Sequence, residues 1–188
     1  MIVKISQVCI ITKNLVNCNN QETIHFILTG GTIDSSFDPT KDSLVIGDKS
    51  HIENFVTNLN LHNSTKFEIA VLKDSREIRH TDRQKILEMI KNSAHKMFII
   101  THGTYTMPDT AQYLIDELEA SDKVVVLTGS MIPLKGFEFS DGGFNLGYAL
   151  AKVQCLSPGV YICMNGRVFD PYKVDKNRMK GRFEEVQP

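Results

Sequence analysis

The residues best suited to chemistry in this chain are hydroxyls that follow glycines. Thr32 comes directly after two glycines in Thr29-Gly30-Gly31-Thr32-Ile33. Such a pair lets the backbone turn sharply and bare its N–H groups. The next hydroxyl can then meet a ligand, with amides nearby to hold an oxyanion; by itself, a Gly-Gly turn is more often only a turn. Thr101-His102-Gly103-Thr104-Tyr105-Thr106-Met107 crowds three threonine hydroxyls and a histidine into one short stretch. Gly103 gives Thr104 room, Thr106 suits a helix cap, and His102 reads as a structural histidine rather than a base. In Lys73-Asp74-Ser75-Arg76-Glu77, Ser75 and Arg76 could grip a carboxylate, since a guanidinium matches its geometry; a solvated polar loop is the plain alternative. Asp141 opens a helix-like run and is explained by capping and the helix dipole. The six basic residues from Arg167 to Arg182, broken by acids, read as a solvated tail, with nucleic-acid binding as a minor alternative. No metal-ligand spacing is visible, and neither a metal nor a cofactor is expected.

The elements that would position these residues alternate in type. Apolar runs at Ile24–Leu28, Phe67–Leu72, Met97–Ile100, Val124–Leu127 and Val160–Met164 read as buried strands. Between them lie helical patterns: one after Ser50 with Ile52, Phe55, Val56 and Leu59, one from Thr81-Asp82, one from Thr106 to Glu119 and one from Asp141 to Val153. Pro108 is tolerable in a first helical turn. The stretch from Ile33 to Asp48 is polar, turn-rich and aperiodic, the length of an active-site lid. This pattern predicts an α/β fold, a three-layer α/β/α sandwich with a mostly parallel sheet. In such sheets the ligand lies outside the carboxyl ends of the strands, where the hydroxyl clusters fall.

Composition sets outer bounds. At 188 residues the chain can bury one domain's core without staples. Residues 1–22 read as an N-terminal extension and 23–188 as the catalytic-type domain. With 21 basic against 22 acidic side chains, no overall field draws it to nucleic acid or to a membrane surface. No apolar run approaches the roughly 18 residues of a spanning helix, and the start lacks the pattern of a secretory signal. The four cysteines form no CxxC pair, and Cys163 reads as a buried thiol, so a reducing, cytoplasmic setting is expected.

Taken together, the segments resemble the N-terminal domain of the bacterial L-asparaginases, across roughly Ile24 to Lys180. The resemblance rests on TGGTI at Thr29–Ile33, DS at Asp74-Ser75 and THGTYTM at Thr101–Met107. It continues through LTGSMIP at Leu127–Pro133, SDGGFNL at Ser140–Leu146 and MNGRVFDPYKVDK at Met164–Lys176. It implies an amidohydrolase in which Thr32 is the nucleophile and Thr104 and Lys176 relay its proton. Ser75 would bind a substrate carboxylate, with Arg76, Gly31, Gly103 and Tyr105 as further substrate-binding positions. A lysine can serve as base only if its pKa falls; attack on a side-chain amide would release ammonia and leave an acyl-enzyme for water. The chain departs from the family pattern at Tyr105, where the family has an aspartate that binds the substrate's α-amino group. It departs again at Leu44, which aligns with a lid tyrosine. The family's smaller C-terminal domain has no counterpart in these residues.

The leading expectation is therefore an asparaginase-like amidohydrolase acting on a small amide, L-asparagine or a relative, as a homodimer or larger homo-oligomer. A non-catalytic small-molecule binder is the second reading, favoured by Tyr105 and Leu44 and opposed by Thr32, Thr104 and Lys176. An amidase component of tRNA-dependent amidation is the third; near-zero net charge argues against it.

Overall fold

The computed structural model describes residues 22–186, so the expected extension, residues 1–22, lies outside the described residues apart from Glu22. Five parallel strands make the sheet: β1 (Ile24–Gly30), β4 (Thr65–Lys73), β5 (Met97–Thr101), β6 (Val124–Thr128) and β7 (Gly159–Met164). A short β8 (Arg167–Phe169) runs antiparallel against β7, and the spatial order is β4-β1-β5-β6-β7-β8. All residues of β1, β5 and β6 are buried. Both faces are covered, which is why these strands read as unbroken apolar runs rather than alternating ones.

Alternation survives as a division between two cores. Ile24, Phe26 and Leu28 of β1 point to a layer with Ile52 and Val56 of helix α1 (Ile52–Thr57) and Leu146, Ala149 and Val153 of α4 (Gly142–Val153). Ile27 points the other way, toward Ile86 and Ile90 of α2 (His80–Lys91) and Met107, Ala111 and Leu114 of α3 (Met107–Glu117). The result is the expected three-layer α/β/α sandwich.

Two hairpins depart from the expectations. The stretch expected to be an aperiodic lid begins with a 3-10 turn at Thr32–Asp34 and continues as the antiparallel pair β2 (Ser35–Asp38) and β3 (Ser43–Ile46). Asp38 Oδ1 accepts from both Thr40 N and Thr40 Oγ1, which closes the turn between them. The basic stretch expected to be a solvated tail forms β9 (Val174–Asn177) and β10 (Arg182–Glu185). Val174 and Phe183 anchor this hairpin in the core, while Asp175, Arg178, Lys180 and Arg182 are exposed.

The connections fix where a ligand can sit. From β1 the chain passes to β4 on one side; from β5 it passes to β6 on the other. The reversal opens a crevice beyond the carboxyl ends of β1 and β5. Thr32 follows the first of these strands and Thr104 the second.

Candidate active site

Glycines bring the two threonine turns together. Gly30 and Gly31 both have positive φ, 84° and 79°, a region costly for residues with a Cβ. Space forbids a side chain as well: a Cβ on Gly31 would lie 2.4 Å from Gly103 Cα and N, and one on Gly103 would lie 2.7 Å from Ser75 Oγ. The turns after β1, β4 and β5 therefore pack backbone to backbone, with Thr32 half-buried and Thr104 buried beside them. Thr29 Oγ1 donates to Thr101 O at 2.8 Å and braces the strand ends. Several turn amides are committed: Gly31 N to Lys73 O, His102 N to Thr128 O and Tyr105 N to Ser75 Oγ.

Ser75 is buried at the end of β4, and its carbonyl accepts Thr106 Oγ1 at 2.6 Å. Thr106, expected as a side-chain cap, makes no such cap bond and ties α3 to this turn instead. Arg76, expected to reach for a ligand carboxylate, spends its guanidinium on Asp74 through two bonds of 2.9 and 2.8 Å. That pairing holds the Asp74 carboxyl below its usual range. His102 is the structural histidine expected. It is fully buried, its Nδ1 lies 2.8 Å from Gly103 O and its Nε2 3.0 Å from Thr110 Oγ1. A carbonyl only accepts, so Nδ1 carries the proton, and burial pushes the imidazole pKa down to about 4.

Lys176 reaches the site from β9. Its Nζ donates to Thr104 Oγ1 at 2.6 Å across 72 positions of sequence. Burial chiefly, then the charges of Arg178 and Arg76, hold its pKa below the usual lysine range, against the opposing pull of Asp74 and Asp141. A relay of buried amides orients this hairpin. Asp141, expected as a helix cap, makes no side-chain cap bond. Its carboxylate accepts Met131 N, Ile132 N and Asn145 Nδ2 instead. Asn145, fully buried, also donates to Gly129 O and accepts Asn165 N, each at 3.0 Å. Asn165 in turn accepts Phe183 N at 3.0 Å, and Phe183 pairs with Lys176 across β9 and β10.

Four residues with a part here have no role assigned from the sequence, although Asn145 and Asn165 lie within the motifs SDGGFNL and MNGRVFDPYKVDK. Asn145, Asn165 and Arg178 act through contacts distant in sequence. Asp34, buried, accepts Ser50 Oγ at 2.9 Å and His51 N at 2.8 Å, and so joins the two ends of the β2–β3 excursion. Burial raises its pKa.

Known proteins resemble this chain in sequence and fold. A family model described as "Asparaginase, N-terminal" matches residues 23–184. The chain belongs to the asparaginase family. The asparaginase-family chain is 34% identical over 162 residues to L-asparaginase 2 of Escherichia coli (strain K12), covering 81% of this chain and 46% of that one. Among solved structures it is similar to a probable cytoplasmic L-asparaginase from Campylobacter jejuni, with TM-score 0.73 at 27% identity over 87% of this chain and 53% of that one. The fold also matches the thermostable L-asparaginase from Thermococcus kodakarensis, with TM-score 0.74 at 24% identity, covering 88% and 52%. The chain thus spans about half the length of these relatives. At the two departures from the family pattern, Tyr105 is partly exposed beside Thr104, and Leu44 lies exposed on β3 opposite Phe37. No group of acidic, histidine or cysteine side chains among the described residues could hold a metal ion. No helix among them is long and apolar enough to cross a membrane.

Proposed function

We propose that this chain is an amidohydrolase that cleaves a small side-chain amide to acid and ammonia through a threonyl acyl-enzyme. The observation that carries the reading is the 2.6 Å bond between Lys176 Nζ and Thr104 Oγ1, made by a lysine whose pKa is depressed. A neutral amine there can accept a proton passed through Thr104 from the Thr32 hydroxyl as its oxygen attacks the amide carbon. The same proton returns to the leaving nitrogen, which departs as ammonia, and water then cleaves the ester. The amides of Thr32, Gly103 and Thr104 make no hydrogen bond among the described residues, so they are free to hold the oxyanion. Ser75 and the glycines Gly31 and Gly103 would border the substrate. Thr32→Ala should cut ammonia release at least about a thousandfold while circular dichroism and melting are retained. Near-native release would remove Thr32 as the nucleophile.

Phe139 is 92% and Phe144 62% exposed, with Phe137 and Ile132 nearby in sequence. Apolar exposure of this kind marks interfaces, so self-association into a homodimer or larger closed assembly is expected, and light scattering of a monomer at working concentration would refute it. A cytoplasmic setting is supported by the likeness to the Campylobacter jejuni protein, itself described as a probable cytoplasmic L-asparaginase, and by the free, buried Cys163. The boundary near residue 22 is supported by the opening of β1 at Ile24.

A further inference from the structure

We propose that the site takes an amide that carries a carboxylate and no ammonium group, and that Arg178 is a specificity-determining residue for it. The inference rests on the amidohydrolase reading above. Three basic side chains share one aromatic ring. Lys176 Nζ lies 4.1 Å, Arg76 Cζ 5.0 Å and Arg178 Cζ 5.1 Å from the ring centroid of Tyr105, the residue after Thr104. A ring face attracts a cation through its quadrupole, but it carries no charge and cannot neutralise the two guanidiniums.

The nearby acids are already in use. Asp74 is held in two bonds by Arg76. Asp141 accepts from Met131 N, Ile132 N and Asn145. Asp175 alternates to the opposite face of β9 from Lys176 and accepts the Lys176 amide. Arg178 is exposed, and its side chain makes no hydrogen bond or ion pair among the described residues beyond its contact with the Tyr105 ring. Its planar fork is therefore available to an anion, and such a fork matches a carboxylate in two parallel bonds. The buried Ser75 hydroxyl, which accepts Tyr105 N, keeps its own proton to donate. A ligand ammonium brought into the same space would meet two guanidiniums, with no uncommitted carboxylate there among the described residues to receive it. Like charges at such range repel. The fitting class is the monoamide of a dicarboxylic acid, for which succinamate serves as the probe.

The test compares ligands that differ only by the ammonium. In calorimetric titration of the full chain, succinate should bind about tenfold or more tighter than L-aspartate, the order expected of a charge-assisted contact at a partly open site. Arg178→Gln should remove about tenfold from succinate affinity and less from L-aspartate. Arg178 is exposed, so this variant leaves the fold intact. In parallel, ammonia release should have a higher kcat/KM for succinamate than for L-asparagine. Equal or tighter binding of L-aspartate, no binding of either acid, or an Arg178→Gln variant unchanged on succinate overturns the proposal. Faster turnover of L-asparagine overturns the preference and leaves hydrolysis standing. Succinate binding without ammonia from either amide overturns hydrolysis and leaves the preference standing.

Discussion

Replacing Asn145 by leucine tests whether the buried amide relay holds both the fold and the lysine in place. Leucine keeps asparagine's branched shape but puts bulkier methyl groups in a fully buried site, so some overpacking adds to the loss of all the amide's hydrogen bonds. Gly129 O, fully buried, and Asn165 N, partly buried, lose their 3.0 Å partners; Asp141 keeps Met131 N and Ile132 N. A buried group left unsatisfied costs about 1–3 kcal/mol. Taking the upper part of that range for Gly129 O and the lower part for Asn165 N gives a destabilisation of about 3 kcal/mol. Urea unfolding followed by circular dichroism should show the midpoint fall with the slope unchanged, because the surface exposed on unfolding is the same. The functional arm follows the relay outward. Asn165 orients Phe183 N, and Phe183 is the cross-strand partner of Lys176. A hairpin shifted by part of an ångström loosens the bond to Thr104, so kcat should fall about tenfold or more while KM changes little. A variant within about 0.5 kcal/mol of wild type, with unchanged kcat, would show that the relay neither stabilises the sheet edge nor positions the lysine.

Further expectations concern the titrating groups. Lys176→Met should lower kcat by about a hundredfold or more with KM within about threefold, and unchanged turnover would exclude it from the chemistry. Because Lys176 must be neutral to accept a proton and its pKa is depressed, the wild-type rate should rise with pH through a value below the ordinary lysine 10.5. A limb at or above that value would contradict the burial argument. His102, with a folded pKa of about 4 against an ordinary 6.5, binds its proton later than the unfolded chain does. Its contribution to stability is present above about pH 6.5 and is lost as pH falls toward 4, by about 3 kcal/mol in all. Its ring resonances should stay unchanged by NMR down to pH 5, and a midpoint near 6.5 would refute the buried, neutral assignment.

Much of the fold is legible in the sequence because burial on both faces leaves a strong mark. Strands such as Met97–Thr101 and Val124–Thr128 have no outward face, so their apolar runs stand out. Gly30-Gly31 is legible as a turn. Its tighter requirement, backbone contact with Gly103, is a long-range fact that local sequence does not carry. The hairpins escape a sequence reading for the opposite reason. β3 and β9 have four residues each, exposed or mixed in burial, too short for a period-2 signal to rise above a polar loop. Asp141 misleads because a carboxylate just before a helix fits local capping; the donors that claim it lie nine and ten positions upstream. Lys176 looks like one cation in a tail because only the packing of Val174 and Phe183 makes it point inward.

The site joins parts of unequal rigidity, and that division has a chemical consequence. Thr32, Ser75 and Thr104 follow β1, β4 and β5, whose turns cannot separate without breaking the close contacts at Gly31 and Gly103. Lys176 and Arg178 ride on a two-stranded edge hairpin fastened by Phe183, Val174 and the Asn165 bond. In the proposed mechanism, the hydroxyls that would meet a carbonyl within a few tenths of an ångström thus sit on the least deformable elements. The cations that tune charge, and whose Coulomb interactions fall off gradually with distance, sit on the more deformable one. Substitutions in the glycine turns should therefore abolish the site outright, whereas those in the hairpin should grade its charge and specificity. Tyr105 stands where the two parts meet: its backbone belongs to the rigid turn through Ser75, and its ring is the face on which the hairpin's cations gather.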